Sequence, residues 1–334
     1  MGDPQDLLDA VFARPDEAVA AAHALLADSP SAYDASIAHH VIGLAQREYG
    51  DLDAAIAQLR RARALATRSG SAPRWADVVA SLGIAVVHAG RSGHGLALLD
   101  QAVAAATGAH GARVRFLRAG ALWILGRHRE ALADLRIAVP VLRRSGDVRW
   151  AGRALTLRGL INLVLGLVKR ADTDLRAAER VFADLDERHA SAFALHNRGL
   201  VAFRSGDLPA ALSCLDDVER RYRALGTVPP ELAIDRCAVL LAAGLAREAV
   251  SEAGAALERT GRGRGRPPAG PNSCWRRPGQ RSPRAIPPPP RRTPRPPPGC
   301  SPPSAGSGGT RTPGCWCCKR GSRRTRRRRG CSAR

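Results

Sequence analysis

Six glycines recur at nearly constant spacing along most of this chain, and they constrain its fold more than any other feature. Successive members are 36 to 40 residues apart: Gly50, Gly90, Gly126, Gly166, Gly206 and Gly244. A small residue lies seven positions before each glycine and another lies five positions after it, as Gly159 and Ala171 do around Gly166. Nine positions after the glycine comes a leucine, as at Leu175, except that Ala253 follows Gly244. This pattern indicates an internal repeat.

Each repeat is interpreted as two helices that meet at the glycine. Glycine adopts the positive φ that ends a helix at little cost. The small residues on either side allow two helices to cross closely, and the leucine fills the groove against the next hairpin. Residues 4–13 and 18–27 add a further helical pair, with Pro15 in a turn or first-turn position. Since one hairpin cannot bury its apolar face alone, the pattern predicts hairpins that stack into a solenoid.

Gly159, Gly166, Ala171 and Leu175 resemble the signature of the tetratricopeptide repeat family. The resemblance implies an all-α, right-handed superhelical solenoid of about seven helix-turn-helix repeats over residues 1–260. The repeat is longer than the usual ~34 residues of that family, which predicts longer second helices or loops such as 68–73. The Ala, Leu and Arg-rich repeats also resemble N-terminal arrays of actinobacterial proteins, many of which end in a caspase-like CHAT domain.

The basic character of the chain belongs to its C-terminal segment. The net charge is +22, yet residues 261–334 hold twenty of the 52 Lys and Arg residues and no Asp or Glu. This Arg, Pro and Gly-rich segment also lacks Leu and Val, so it is predicted to be a disordered tail. Its composition is equally that of GC-rich codons translated out of frame. If the tail is genuine, the arginine run 323–329 would bind nucleic-acid phosphates.

The remaining motifs argue against several classes of protein. No signal peptide or membrane span is visible, and the two cysteines of residues 1–260, Cys214 and Cys237, form no disulfide pattern. We therefore predict a cytoplasmic protein without a membrane partner. The chain shows no catalytic constellation, cofactor motif or metal-ligand spacing, and Cys315, Cys317 and Cys318 lack the regularity of a zinc site.

The resemblance implies that first helices line the inner face of the array. Aromatic and polar residues on these helices are the predicted partner-binding set. They are His40, Arg47, His88, Phe116, Trp123, Thr156, Phe193, His196, Asn197, Phe203 and Arg204. Any one of the aromatic residues is equally suited to packing between hairpins.

A ladder of four arginines occupies equivalent places in successive first helices. Arg118, Arg158, Arg198 and Arg236 are separated by 38 to 40 residues. One interpretation is a positive stripe that binds an acidic segment or a terminal carboxylate. The other is structural pairing with acids of the same or adjoining hairpin, for which Asp134 and Asp174 are candidates.

The sequence as a whole predicts a protein-interaction scaffold that binds a peptide or partner protein in its groove. One alternative is a truncated form of a caspase-like protease whose catalytic domain lies outside this chain. Another is a nucleic-acid binder that acts through the arginine-rich tail.

Overall fold

The structure is a computed structural model that describes residues 6–11 and 14–262. This part of the chain contains fourteen α-helices and no strand. The helices are α1 (Asp6–Ala10), α2 (Pro15–Ala27), α3 (Ala32–Glu48), α4 (Leu52–Arg68), α5 (Ala72–His88), α6 (Ser92–Ala105), α7 (Gly108–Ile124), α8 (His128–Arg144), α9 (Val148–Val164), α10 (Val168–Asp184), α11 (Arg188–Ser205), α12 (Leu208–Ala224), α13 (Pro230–Ala242) and α14 (Ala246–Arg262).

Consecutive helices pack in pairs, which gives seven hairpins from α1–α2 to α13–α14. Neighbouring hairpins also touch through their first helices, from the α3–α5 pair to the α11–α13 pair. Among the described residues, no comparable contact joins two second helices. The predicted all-α helical-repeat solenoid is therefore confirmed, and its first helices lie closer together than its second helices.

The glycine at the corner of each hairpin adopts the predicted left-handed conformation. The six turn glycines have φ between 75° and 85°. At Gly166, the glycine N–H donates to the Leu163 carbonyl (3.1 Å), and the Leu167 N–H donates to the Asn162 carbonyl (2.8 Å). These two bonds satisfy carbonyls that the end of α9 would otherwise leave unpaired.

The small residues and the leucine of the repeat meet where the two helices of a hairpin cross. Leu175 is fully buried, and a Cβ added at Gly159 would lie only 2.7 Å from its Cγ atom. Leu175 also shares a hydrophobic cluster with Val201 of the next hairpin. The leucine therefore packs against its own first helix as well as toward its neighbour.

The extra length of the repeat lies in both helices of a hairpin, so the second helices are long as predicted, the first helices are equally long, and the predicted long loop at 68–73 is wrong. From α3 to α12 every helix has 17 or 18 residues, first and second alike, except α6, which has 14. The segment 68–73 contains only a short connection, since α4 ends at Arg68 and α5 begins at Ala72. Ser71 caps α5 by accepting the Arg74 N–H (3.3 Å), and Pro73 suits the first turn because it has no N–H to satisfy.

The last helix runs two residues past the predicted domain boundary at residue 260 and ends at Arg262. The predictions of a disordered tail, an out-of-frame segment and a basic nucleic-acid-binding run concern residues outside the described part. Within the described ranges, no helix combines the length and the apolar character that a membrane crossing requires.

Candidate functional site

The predicted partner-binding residues fall into two groups by exposure. Seven of them are buried: His40, Arg47, Phe116, Thr156, His196, Asn197 and Phe203. Four keep an accessible part of the side chain: His88, Trp123, Phe193 and Arg204. Partner binding by all eleven stays a prediction, but the second group offers most of the surface.

Four of the buried residues occupy the same position of the repeat, and that position explains their burial. His40, Phe116, Thr156 and His196 each lie ten residues before a turn glycine and are at most 8% exposed. The equivalent residue of the last hairpin, Ile234, is 53% exposed. The first helix of the following hairpin therefore covers this position wherever such a hairpin is present.

His40 belongs to a buried polar cluster between α3 and α5. Its Nε2 atom lies 2.8 Å from the Ser81 hydroxyl, and its Nδ1 atom contacts the Arg74 guanidinium. Arg74 also donates through Nε to Ser36 (3.2 Å). Burial, followed by the positive charges of Arg74 and Arg47, holds the pKa of His40 well below its ordinary value of 6.5. His40 is therefore neutral and structural at physiological pH.

Trp123 and Phe193 line a small cavity, which we call the aromatic notch. Its walls come from α7, α9 and α11, with Phe182 of α10, and also include Leu160, Thr156 and Arg153. The enclosed volume is about 40 Å³. The Arg153 guanidinium lies 5.1 Å from the centre of the Trp150 ring and pairs with no acid among the described residues. The notch thus combines aromatic and aliphatic walls with one uncompensated positive charge.

Two arginines of the ladder pair with acids of their own hairpin. Arg118 donates to Asp134 through Nε (2.8 Å) and Nη2 (2.6 Å), and reaches Asp100 of the preceding hairpin with Nη1 (2.8 Å). Arg158 makes the same bidentate contact with Asp174, at 2.9 Å and 2.6 Å. Both acids are the candidates named from the sequence.

The other two arginines turn to the preceding hairpin. Arg198 donates to Glu179 (2.6 Å), while Arg236 donates to Glu219 (2.8 Å) and Asp216 (2.6 Å). Glu179 and Glu219 occupy one equivalent place, thirteen residues after their turn glycines. These two arginines therefore tie each hairpin to the one before it.

The sequence contains the signal for this change of partner. Asp134 and Asp174 lie eight residues after their turn glycines, where the hairpin of Arg198 has Cys214. In the hairpin that precedes Arg158, Val139 occupies the place that corresponds to Glu179 and Glu219, so this hairpin offers Arg158 no acid there. The sequence thus accounts for the partners of Arg158 and Arg198, whereas Arg236 has Glu252 at the equivalent place of its own hairpin and still pairs with Glu219 and Asp216. All four arginines pair with acids of the same or the adjoining hairpin.

Comparison with known proteins finds solved structures whose fold is similar to that of this chain. No protein-family model and no curated protein matches the chain. BtubC (BKLC) from P. vanneervenii is 18% identical over 66% of this chain and 93% of its own, with a TM-score of 0.55. RapI in its apo form is 12% identical over 74% of this chain and 82% of its own, with a TM-score of 0.50. Aspartyl phosphate phosphatase F from Bacillus subtilis is 14% identical over 74% of this chain and 75% of its own, with a TM-score of 0.51.

The chain has a helical-repeat fold of the tetratricopeptide type. At these identities the likeness concerns the fold, and the catalytic description of the Bacillus subtilis protein applies to that protein. In the described part of this tetratricopeptide-type array, no cluster of three or more His, Cys, Asp or Glu is placed to hold a metal ion. Cys214 and Cys237 are partly buried free thiols, and burial raises the pKa of each.

Proposed function

We propose that this protein is an interaction module that binds a peptide segment of a partner protein at the aromatic notch. The supporting observation is the combination of Trp123, Phe193 and Arg153, which stand on three first helices, in one depression. Aromatic side chains beside a cation are typical of the few residues that dominate binding free energy at protein interfaces.

The chemistry of the notch defines the peptide it would take. The cavity of about 40 Å³ suits one apolar side chain rather than a bulky group. Arg153, which lacks an acidic partner among the described residues, favours a carboxylate next to that side chain. We therefore expect a peptide that carries an aliphatic residue beside Asp, Glu or a C-terminal carboxylate.

The repeat array supplies rigidity to such a site. The first helices that carry the notch are each held by extensive packing against the second helix of their own hairpin, so little conformational entropy is lost on binding. Thr156, which lies at the base, also donates its hydroxyl to the Gly152 carbonyl (3.0 Å) and is 8% exposed. The peptide would thus contact a surface that is already ordered.

A selection experiment tests this function. A random peptide library displayed on phage is selected on the full-length chain, and the enriched peptides are tested against Trp123→Ala and Tyr33→Ala. Tyr33 is an exposed aromatic residue of α3 outside the notch, 41% exposed, and serves as the matched control. We expect enrichment of aliphatic-acidic pairs that bind Tyr33→Ala but not Trp123→Ala. Peptides that bind both variants equally well would place the interaction elsewhere.

A further inference from the structure

A second depression lies on the side of the array that the second helices form. It is an open depression lined by α8, α9 and α10, with a volume of about 340 Å³. Its charged lining consists of Arg136 from α8, Arg158 from α9, and Lys169, Arg170 and Asp174 from α10. A volume of ~300 Å³ or more is typical of sites for small molecules.

The only acid that lines this pocket is already fully engaged. Asp174 accepts two hydrogen bonds from Arg158, at 2.9 Å and 2.6 Å, and a third from the Asn162 side-chain amide at 3.1 Å. The side chain of Asp174 is 8% exposed. The Arg158–Asp174 pair is therefore neutral as a unit, and Arg158 keeps Nη1 without a hydrogen bond to any described residue.

The rim of the pocket carries three positive charges without counter-charges. Arg136, Lys169 and Arg170 are exposed, and none of their side chains forms an ion pair or hydrogen bond with the described residues. Some exposed arginines of the array are paired, as Arg127 is with Glu130 (2.5 Å) and Arg176 with Asp172 (2.7 Å), and others such as Arg180 are not; the rim differs in that three unpaired cations line one depression. Three unpaired like charges around one depression create a local positive potential that attracts anions.

The repeat shows that this charge is not needed to stack hairpins. Arg136 lies ten residues after the turn glycine of its hairpin, and Lys169 and Arg170 lie three and four residues after the turn glycine of the next hairpin. The same places between other hairpins hold only one Lys or Arg in each set of three. These sets are Arg60 with Gly93 and His94, Asp100 with Arg129 and Glu130, Arg176 with Pro209 and Ala210, and Asp216 with Arg247 and Glu248. Among the described hairpins, the all-cationic set belongs to this pocket alone.

From this arrangement we infer that the pocket binds the diphosphate group of a small molecule. A monophosphate carries about −1.5 to −2 at pH 7 and would leave the three rim cations incompletely neutralised, whereas a second phosphate group adds the missing charge. The guanidinium groups of Arg136 and Arg170 suit two phosphate oxygens each, and the free Nη1 of Arg158 adds a donor below them. This site is separate from the aromatic notch and does not depend on it.

Calorimetric titration of the full-length chain tests the assignment. The probes are inorganic pyrophosphate, a nucleoside diphosphate, orthophosphate and sulfate, in about 50 mM salt so that screening stays weak. The variants are Arg136→Gln, Arg170→Gln and, as matched control, Arg180→Gln. Arg180 is an exposed arginine of α10 that does not line the pocket. Because all three side chains are exposed, each variant should keep the helical circular dichroism spectrum of the parent.

We expect pyrophosphate to bind more tightly than orthophosphate or sulfate, with Arg136→Gln and Arg170→Gln each weakening it by about tenfold. Arg180→Gln should change the affinity by less than about twofold. Tighter binding of the nucleoside diphosphate than of pyrophosphate would identify an organic ligand, and equal binding would identify the free anion; both outcomes support the site. Equal affinity in all three variants would assign the binding to the twenty basic residues of 261–334 and overturn the inference. Orthophosphate or sulfate binding as tightly as pyrophosphate would overturn the diphosphate assignment.

Discussion

The closeness of the two helices in a hairpin can be tested by adding a single methyl group at one repeat position. Gly83, Gly159 and Gly199 each lie seven residues before a turn glycine, and each is buried. Replacing any of them by alanine gains about 1 kcal/mol in intrinsic helix propensity. Since this gain in helix propensity is the same at all three positions, differences in stability among the variants report packing alone.

The space available for the new methyl group differs at the three positions. At Gly199 the closest atoms are side-chain carbons of Cys214 and Leu215, both at 3.3 Å. At Gly159 the Leu175 Cγ atom would lie at 2.7 Å, so that side chain must move. At Gly83 the methyl group would lie 2.8 Å from Leu99 Cγ and 2.9 Å from the Gly95 carbonyl oxygen, which is backbone and cannot rotate away.

These distances rank the three variants. Overpacking costs typically about 1–3 kcal/mol, so Gly199→Ala should range from neutral to about 1 kcal/mol more stable than the parent. Gly159→Ala should be less stable than the parent by about 1 kcal/mol, and Gly83→Ala by about 2 kcal/mol. At about 2–4 °C per kcal/mol, the melting temperatures of Gly199→Ala and Gly83→Ala should differ by roughly 5–10 °C.

The assay is thermal unfolding followed by circular dichroism, with all variants at one protein concentration. Hydrogen exchange of the affected hairpin checks that the change is local, because a repeat array need not unfold in one step. Melting temperatures that agree within about 1 °C across the three variants, or a reversed order, would refute the close crossing at Gly83 and Gly95.

Three further predictions concern the ladder and the buried histidine. Asp174→Ala leaves Arg158 and Asn162 without their acceptor and should lower the free energy of unfolding by about 3 kcal/mol. Glu130→Ala removes the exposed partner of Arg127 and should change that free energy by less than about 0.5 kcal/mol. Equal losses in chemical denaturation would argue against the ladder as a tie. In a double-mutant cycle, Arg198→Ala with Glu179→Ala should show a coupling of about 1 kcal/mol or more, and Arg198→Ala with Cys214→Ala should show less. Because the pKa of His40 is lowered in the folded chain, the unfolded chain binds the extra proton as pH falls below 6.5, so stability should decrease from pH 7 toward acid. His40→Gln should flatten that decrease in a pH series of melting temperatures, and an unchanged slope would contradict the buried neutral histidine.

Much of the fold could be predicted because each repeat position has one physical requirement. A turn that needs positive φ selects glycine, and a close helix crossing selects small residues such as Gly159 and Ala171. Helix length could not be predicted in the same way, because Ala72 and Pro73 suit either a loop or a first helical turn. Only the cap at Ser71 decides between them.

The candidate sites were less predictable, because they depend on which residues the next hairpin covers. His40 and Thr156 have the residue types of a binding surface, yet the following first helix buries them. The pocket at Arg136 joins residues that lie more than thirty positions apart, and only the packing of α9 against both α8 and α10 brings them together. The partner choice of Arg198, in contrast, could have been inferred from Cys214 and Glu179.

The central claim is that the aromatic notch is the surface that receives a partner peptide. The most direct test labels the full-length chain with 5-fluorotryptophan and follows the fluorine resonances while a selected peptide is added. Trp123 lines the notch, whereas Trp75 packs against the hydrophobic cores of the second and third hairpins and serves as the internal reference. The resonance that disappears in Trp123→Phe should shift on peptide binding while that of Trp75 stays fixed. A saturating peptide that leaves the Trp123 resonance unmoved would contradict the account.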